Sequence, residues 1–412
     1  MLRQAVILCG GLGTRLGELT ANTPKPLLPV NGVPFLDILI QEIVRYGFQE
    51  VLLLAGRHGD QILTYQDRTM FGARIRVLVE PEPLGTGGAL RFALDALDPE
   101  FLLANGDSWI DADLTKFSRA WERNRADHPG ALAQLLLHGV KNAERFGIVE
   151  TRDGKVVAFR EKGSWLAEGA QLINAGVYVF RRELVVEVLP AKAVSLERDI
   201  LPAAVARGQV LCASAGDNRY FVDIGVPDSY RSAQAELQAA RRRPAIFFDR
   251  DGTLNRDIGH THRVEDLHWM PDAQEAVAYA NARGFYTFVV TNQAGVAKGF
   301  YLEAAIVQFH QAMQAALFEI GAHIDAFEWC PHHPDGVVAE YRKTCERRKP
   351  GKGMLADLMA AWPVDSSRSL MIGDAESDMN AAAAAGIKGV RYRGGSLLAL
   401  LKRELGEAGG IS

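Results

Sequence analysis

The dominant pattern along the chain is a short apolar run that ends abruptly in a polar or glycine-rich turn. In the first half such runs are Gln4-Ala5-Val6-Ile7-Leu8-Cys9, Glu50-Val51-Leu52-Leu53-Leu54-Ala55, Ile75-Arg76-Val77-Leu78-Val79 and Phe101-Leu102-Leu103-Ala104-Asn105-Gly106-Asp107. In the second half they are Ala245-Ile246-Phe247-Phe248, Phe288-Val289-Val290-Thr291 and Leu370-Met371-Ile372-Gly373. Continuous apolar runs of this length predict strands buried on both faces, alternating with helices in an α/β fold. In an open α/β sheet the ligand lies beyond the carboxyl ends of the strands. The residues that close each run are therefore the first candidates for chemistry: Asp107, then Asp249 and Asp251, Thr291 and Asp374.

A chain of 412 residues exceeds what one hydrophobic core usually organises, so two domains are expected. Ser229 to Ala240 is rich in Ala and Gln and reads as helix, which Arg241-Arg242-Arg243-Pro244 should end. This places domains at 1–236 and 245–412 with a linker over 237–244, its arginines solvated. A formal net charge of −4 argues against a nucleic-acid partner but allows local basic pockets for phosphates. Four cysteines are too few for a disulfide scaffold, and no apolar run is long enough to span a membrane. Met1 leads directly into the first strand, so a cytoplasmic protein is expected.

In the second half, Asp249 and Asp251 stand two positions apart and face the same way, ahead of Gly252-Thr253. Paired carboxylates there can hold Mg²⁺ and can divide the work of nucleophile and general acid. Thr291 and Lys349 can bind a transferring phosphoryl group, and Asp374 can complete the magnesium site; Asp378, one helical turn on, is placed to orient Lys349. These four motifs, in this order, resemble the HAD phosphatase superfamily and imply a doubly wound domain. Asp-Arg-Asp-Gly-Thr-Leu-Asn, Thr-Asn-Gln-Ala-Gly-Val-Ala-Lys-Gly, Cys-Pro-His-His-Pro and Arg-Lys-Pro further resemble the D-glycero-D-manno-heptose 1,7-bisphosphate 7-phosphatases. The histidinol-phosphate phosphatases share most of these motifs. The resemblance implies an aspartyl-phosphate mechanism, with Asn292 and Arg348 also meeting substrate. It also implies structural zinc on Cys330, His332, Cys345 and a fourth cysteine two places later, where this chain has Arg347. Three ligands remain, so weak zinc binding or simple buried thiols are the two readings. The loop Asp257–His262 stands where the heptose enzymes meet substrate, and His260 departs from their usual aromatic residue. His260 and His262 read equally as substrate-facing or as surface residues.

In the first half, the strand ending at Cys9 runs into Gly10-Gly11-Leu12-Gly13-Thr14-Arg15-Leu16, then Thr23-Pro24-Lys25-Pro26-Leu27. Glycines after a strand let backbone N–H groups approach phosphate, and Arg15 and Lys25 can neutralise its charge. No Gly-Lys-Ser/Thr follows, so this is not a Walker loop. Over residues 3–236 the chain resembles the sugar-1-phosphate nucleotidyltransferases, most of all the D-glycero-α-D-manno-heptose 1-phosphate guanylyltransferases. That resemblance implies a Rossmann-like, GT-A-like domain. Gly11, Gly13 and Thr14 would meet the phosphates, and Gly85, Thr86 and Gly87 the base. Asp107 and Asp223 would hold Mg²⁺, Glu161, Asn174 and Glu197 would bind sugar hydroxyls, and Lys162 the sugar phosphate. Glu197 also reads as part of a capping box after Val194, though Val is not the residue such a box needs.

The two resemblances are consecutive in chemistry: loss of the 7-phosphate yields a heptose 1-phosphate, an acceptor for GMP from GTP with release of pyrophosphate. The implied partners are a nucleoside triphosphate and sugar phosphates, with Mg²⁺ at both sites. Another sugar-1-phosphate transferase fused to a phosphatase of different substrate is the alternative enzyme reading. A nucleotide-sugar sensor with dead sites is the alternative of another class, and Arg15, Lys25, Asp107, Asp223, Asp249, Asp251, Lys349 and Asp374 argue against it. The oligomeric state is not legible.

Overall fold

The structure, a computed structural model, describes residues 1–11, 14–140, 147–160, 171–188 and 193–406. The chain divides into two compact units, Met1–Val44 with Phe48–Ala240 and Arg45–Gly47 with Arg241–Ser412. The helix Pro227–Arg241 extends through the first part of the expected 237–244 linker, and the next strand begins at Ala245.

The first unit is built on a mixed ten-stranded sheet. At its centre Gln4–Leu8 pairs in parallel with Glu50–Ala55 on one side and Glu100–Asn105 on the other, and Ala73–Val79 extends the parallel set. These are the apolar runs of the first half, and Val6, Leu52, Leu54 and Leu103 are buried in one core with Phe101, Tyr178 and Phe180. The long strand Gln171–Arg181 adds antiparallel to Glu100–Asn105. Its register shifts between Asn174 and Tyr178, with Gly176 at φ 74°. A Cβ at Gly176 would stand 2.7 Å from the Asn105 amide, so only glycine lets the two strands approach there. A bulge of this kind re-aims side chains at the sheet's end.

The second unit is a five-stranded, all-parallel sheet in the order Ala326–Cys330, Tyr286–Asn292, Ala245–Phe248, Leu370–Gly373, Lys388–Arg391. The chain steps outward from Ala245–Phe248 in one direction, then returns to that strand's other side. The order thus reverses at the strand that ends in Asp249, which is where open α/β sheets form their crevice. Alternation explains the unbroken apolar run: Ile246 and Phe248 enter one core with Val289 and Ile372, while Ala245 and Phe247 enter another with Phe288 and Met371. Phe247 is fully buried, with its ring centroid 5.2 Å from that of Phe288. Phe247→Ala should therefore lower stability by about 3–5 kcal/mol, read as an earlier urea transition of the second unit. A shift below about 1 kcal/mol would contradict this packing.

Candidate active sites

In the first unit, Lys25 sits in a short 3-10 turn, Lys25–Leu27, set up by Pro24 and Pro26. Its ammonium is buried and donates to Asp107 Oδ2 at 2.6 Å. Asp107 follows its strand by a turn at Gly106, whose N–H donates to the Leu8 carbonyl at 3.0 Å. The ribbon Ser108–Ile110 with Phe221–Asp223 brings Asp223 to the same place, and Ile224 N donates to Asp107 O at 2.9 Å. Asp223 Oδ1 accepts from Gly225 N at 2.6 Å. Burial and the negative charge of Asp107 push the Asp223 carboxyl up, against Lys25 and Arg15, which pull it down. A Cβ on Gly225 would stand 3.2 Å from Arg15 Nη2 and 3.3 Å from Lys25 Nζ. Arg15, Lys25, Asp107 and Asp223 thus converge from four separate stretches of sequence.

Lys25 and Asp107 open onto a cavity of about 470 Å³, whose lining includes Gly10, Gly11, Glu80, Thr86, Tyr178 and Glu197. Gly85 and Gly87 have a packing reason as well: a Cβ on Gly85 would stand 2.6 Å from the Val194 carbonyl, and one on Gly87 2.5 Å from Ile200 Cδ1. Thr86 Oγ1 accepts from Leu196 N at 2.8 Å. The residue that caps the turn holding Glu197 is Ser195, which accepts from Arg198 N at 3.3 Å, while Asp199 returns to Ser195 N at 2.7 Å. The expected capping box built from Val194 and Glu197 is therefore corrected: the cap stands one residue later, and the Glu197 carboxylate lines the cavity instead. Asn174 Nδ2 donates to the Tyr178 hydroxyl at 2.7 Å. Burial and then Glu197's charge push that hydroxyl up. Gly13, Glu161 and Lys162 lie outside the described residues, as does the side chain of Thr14.

In the second unit, Asp249 is buried at the end of the central strand, and Lys349 Nζ lies 2.5 Å from its Oδ1. The same ammonium lies 2.7 Å from Asp378 Oδ1 and donates to the Val290 carbonyl at 2.8 Å. Burial raises the Asp249 carboxyl to about 7, although Lys349 opposes it. Burial alone would lower the Lys349 ammonium, but Asp249 and Asp378 outweigh it and hold it up. Asp374 joins them: oxygens of Asp249, Asp374 and Asp378 lie within 4.8 Å of one another. Burial, and then Asp378, push the Asp374 carboxyl up. Gly252 has φ 87°, and a Cβ there would collide with the Asp374 carboxylate.

Asp251 points to a different set of partners. It accepts from Arg250 at 2.8 Å, from Asn255 at 3.0 Å and from Gln293 at 2.8 Å. Gln293 also donates to Thr291 Oγ1 and accepts from the Tyr301 hydroxyl, each at 2.8 Å. The carboxylate cluster is formed by Asp249, Asp374 and Asp378, and the Asp251 carboxylate lies outside it. Asn292, expected to touch substrate, gives both amide atoms to the Lys349 backbone, each at 3.0 Å. It fixes the lysine that reaches Asp249. Arg348 donates to the His332 carbonyl at 3.3 Å. His260 packs on Phe300 and His262 stacks on Tyr301 at 4.3 Å, so both histidines hold their loop against the following motif.

A third cluster joins Cys330, His332 and Cys345, whose ligand atoms lie within 4.8 Å of one another. Burial raises the Cys330 thiol to about 11. Arg347, where a fourth ligand would stand, is engaged with Glu328 and, at 3.0 Å, with Asp357.

Comparison with known proteins finds relatives for both halves of the chain. Residues 4–240 match the nucleotidyl transferase family and residues 346–404 the HAD-hydrolase-like family. The chain belongs to the nucleotidyl transferase family and carries a HAD-type phosphatase with it. The D-glycero-alpha-D-manno-heptose 1-phosphate guanylyltransferase of Aneurinibacillus thermoaerophilus is 36% identical over 57% of this chain and 98% of its own length. The D-glycero-beta-D-manno-heptose-1,7-bisphosphate 7-phosphatase of Rhodopseudomonas palustris is 46% identical over 40% of this chain and 93% of its own length. The crystal structure of HddC from Yersinia pseudotuberculosis, also solved complexed with GMP-PN, is 29% identical and covers 57% of this chain and 100% of that one, with a TM-score of 0.50. A bifunctional transferase and phosphatase is therefore the family assignment, as the motifs led one to expect.

Within this nucleotidyl transferase–phosphatase, several site residues escaped the motif reading. Glu80, Asn105 and Tyr178 line the transferase cavity, and Arg250 and Gln293 hold Asp251. Asn105 and Gln293 stood inside motifs already singled out, so their polar character at a strand end was the available signal. Among the described residues, no helix is long and apolar enough to cross a membrane. With Arg347 committed to two carboxylates, zinc should be substoichiometric after dialysis, and Arg347→Cys should convert the cluster to one tightly held ion per chain. Elemental analysis reads both outcomes; one zinc per chain in the unaltered protein would prove this wrong.

Proposed function

We propose that this enzyme removes the 7-phosphate of D-glycero-D-manno-heptose 1,7-bisphosphate and then transfers GMP from GTP to the heptose 1-phosphate, releasing pyrophosphate. The observation that carries the reading is that each of the two units holds a carboxylate–lysine constellation, Lys25 with Asp107 and Lys349 with Asp249. We assign nucleotidyl transfer to residues 1–236 and phosphate removal to residues 245–412, in the cytoplasm, where phosphorylated sugars and nucleoside triphosphates are available.

In the phosphatase half, Asp249 attacks the phosphorus and forms an aspartyl phosphate, while Asp251 gives its proton to the departing sugar oxygen. Asp251 then takes a proton from the water that attacks the phosphorus and frees Asp249. Gln293, Asn255 and Arg250 hold Asp251 while Lys349 holds Asp249, so the acid and the nucleophile are positioned by different partners. Thr291 and Lys349 are the groups that meet the transferring phosphoryl oxygens. In the transferase half, Arg15 and Lys25 neutralise the triphosphate as a sugar phosphate oxygen attacks the α-phosphorus in line. Asn174 and Glu197, with Glu161, take the sugar hydroxyls, and Lys162 takes the sugar's phosphate. Magnesium fits both donor sets, Asp107 with Asp223 and Asp249 with Asp374, because each brings carboxylates together in a confined site where burial raises at least one of them. Bound there, it would supply further positive charge to the phosphates.

Guanine is favoured as the base by Glu80. It lines the transferase cavity, burial pushes its carboxyl up, and Oε2 accepts from Leu84 N at 3.3 Å. A carboxylate only accepts, and guanine alone offers adjacent N1–H and N2–H donors on one edge. The guanylyltransferase relative is named for the α-anomer and the phosphatase relative for the β-anomer. Hydrolysis at O7 leaves C1 untouched, so consecutive use of one sugar requires both sites to accept the same anomer.

Asp249→Asn should abolish phosphate release and leave transfer to heptose 1-phosphate near the unaltered rate. With bisphosphate and GTP this variant should yield little pyrophosphate until a separate active phosphatase is added. Equal transfer to the bisphosphate and monophosphate would overturn the order of steps. Glu80→Gln should reduce the preference for GTP over ATP by about tenfold or more, since one bidentate contact is worth about 1–3 kcal/mol. An unchanged preference in a nucleotide panel would remove Glu80 from base reading.

A further inference from the structure

Tyr301 has no step in the chemistry set out above, yet its hydroxyl is tied to the residue that holds the acid. Its ring is buried against Gly295, where a Cβ would stand 2.2 Å from Cε1, so only glycine admits it. The hydroxyl donates to Gln293 Oε1 at 2.8 Å, and burial pushes it up to about 12, so it keeps its proton at working pH. Gln293 is buried as well, and its backbone N–H donates to the Cys330 carbonyl at 2.8 Å. Its amide nitrogen serves two acceptors, Asp251 Oδ2 and Thr291 Oγ1, each at 2.8 Å. A terminal amide has two roughly equivalent orientations, and its neighbours decide between them.

In the observed orientation Asp251 meets donors alone: Arg250 at both oxygens, Asn255 at Oδ1 and Gln293 at Oδ2. Asn255 cannot turn over without losing the Arg256 carbonyl, to which the same nitrogen donates at 2.9 Å. For Gln293 the corresponding restraint is the Tyr301 hydroxyl on its oxygen. An ionised Asp251 draws the amide nitrogen toward itself by charge. A protonated Asp251 is a donor, and a turned Gln293 would offer it an oxygen. That is the state in which Asp251 must protonate the departing sugar. We propose that Tyr301 is a positioning residue for phosphate removal: its hydroxyl occupies the Gln293 oxygen and leaves the Asp251 proton for the leaving group. This rests on the phosphatase reading above. The proton moves from Asp251 to the bridging sugar oxygen as the bond from that oxygen to phosphorus breaks, and the Tyr301 proton stays in place.

The test is Tyr301→Phe, assayed on heptose 1,7-bisphosphate and on p-nitrophenyl phosphate, whose phenolate departs without a proton. The ring remains against Gly295 and stacked on His262, so the urea transition of the second unit should not move. We expect kcat/KM for the bisphosphate to fall about tenfold or more and that for p-nitrophenyl phosphate to fall less than about threefold. In a Gln293→Ala background the same substitution should cost less than about a further twofold, since no amide is left to orient. Equal losses on the two substrates, no loss on either, or losses that multiply in the double variant would overturn the assignment. Equal losses with an earlier urea transition would mark a packing role instead, and overturn it too. An unaltered enzyme that cleaves neither substrate removes the phosphatase reading itself, and this inference with it. Cleavage of p-nitrophenyl phosphate alone removes only the sugar assignment. A hexose 1,6-bisphosphate then takes the heptose's place, where the same selective loss supports the role of Tyr301 and its absence refutes it.

Discussion

A buried lysine between two buried aspartates is the interaction on which the phosphatase site depends. Lys349 is nearly inaccessible, and it touches Asp249 and Asp378 at 2.5 and 2.7 Å. Charges taken out of water persist only when paired, and removing one partner typically costs about 3–5 kcal/mol. One ammonium cannot offset Asp249, Asp374 and Asp378 together, and burial first, then the neighbouring carboxylates, raise Asp249 and Asp374. Such a site accommodates a further cation and a phosphate far better than it accommodates nothing. The fold supports the lysine in turn: the Asn292 side chain grips its backbone and the Val290 carbonyl takes its third contact.

The transferase site repeats the logic on a different sheet. Lys25 answers Asp107, while Asp223 feels both burial and its neighbour's charge. In both halves the acidic groups arrive at strand ends, where main-chain pairing stops and side chains are free to converge. The glycines beside them matter for the same reason. Gly252 and Gly225 sit where any Cβ would press on an aspartate, so the carboxylates approach the backbone closely.

How much of this was legible in the sequence follows from range. The strands were readable because burial on both faces writes a continuous apolar run, as at Ala245–Phe248 and Glu50–Ala55. The strand-end aspartates were readable for the same reason. What was not readable depended on contacts between distant stretches. The bulge that aims Asn174 at Tyr178 has no local signature beyond Gly176. The helical turn holding Glu197 is set by Ser195, and its packing depends on Gly85 and Gly87 a hundred or so residues earlier in the chain. Asn292 was a substrate contact by resemblance alone, and only the fold brings the Lys349 backbone to it. Arg347 was legible as a missing zinc ligand, but its engagement with Glu328 and Asp357 was not.

Two sites in one chain make a single metabolic claim: phosphate must leave the far end of the sugar before nucleotide joins the near end. The most direct measurement is a ³¹P NMR time course of the unaltered enzyme with each anomer of heptose 1,7-bisphosphate in turn, GTP and magnesium. The account predicts that inorganic phosphate appears first, that a heptose 1-phosphate signal rises and falls, and that pyrophosphate and GDP-heptose follow. A GDP-linked sugar that still carries its 7-phosphate, formed before any inorganic phosphate is released, would contradict it.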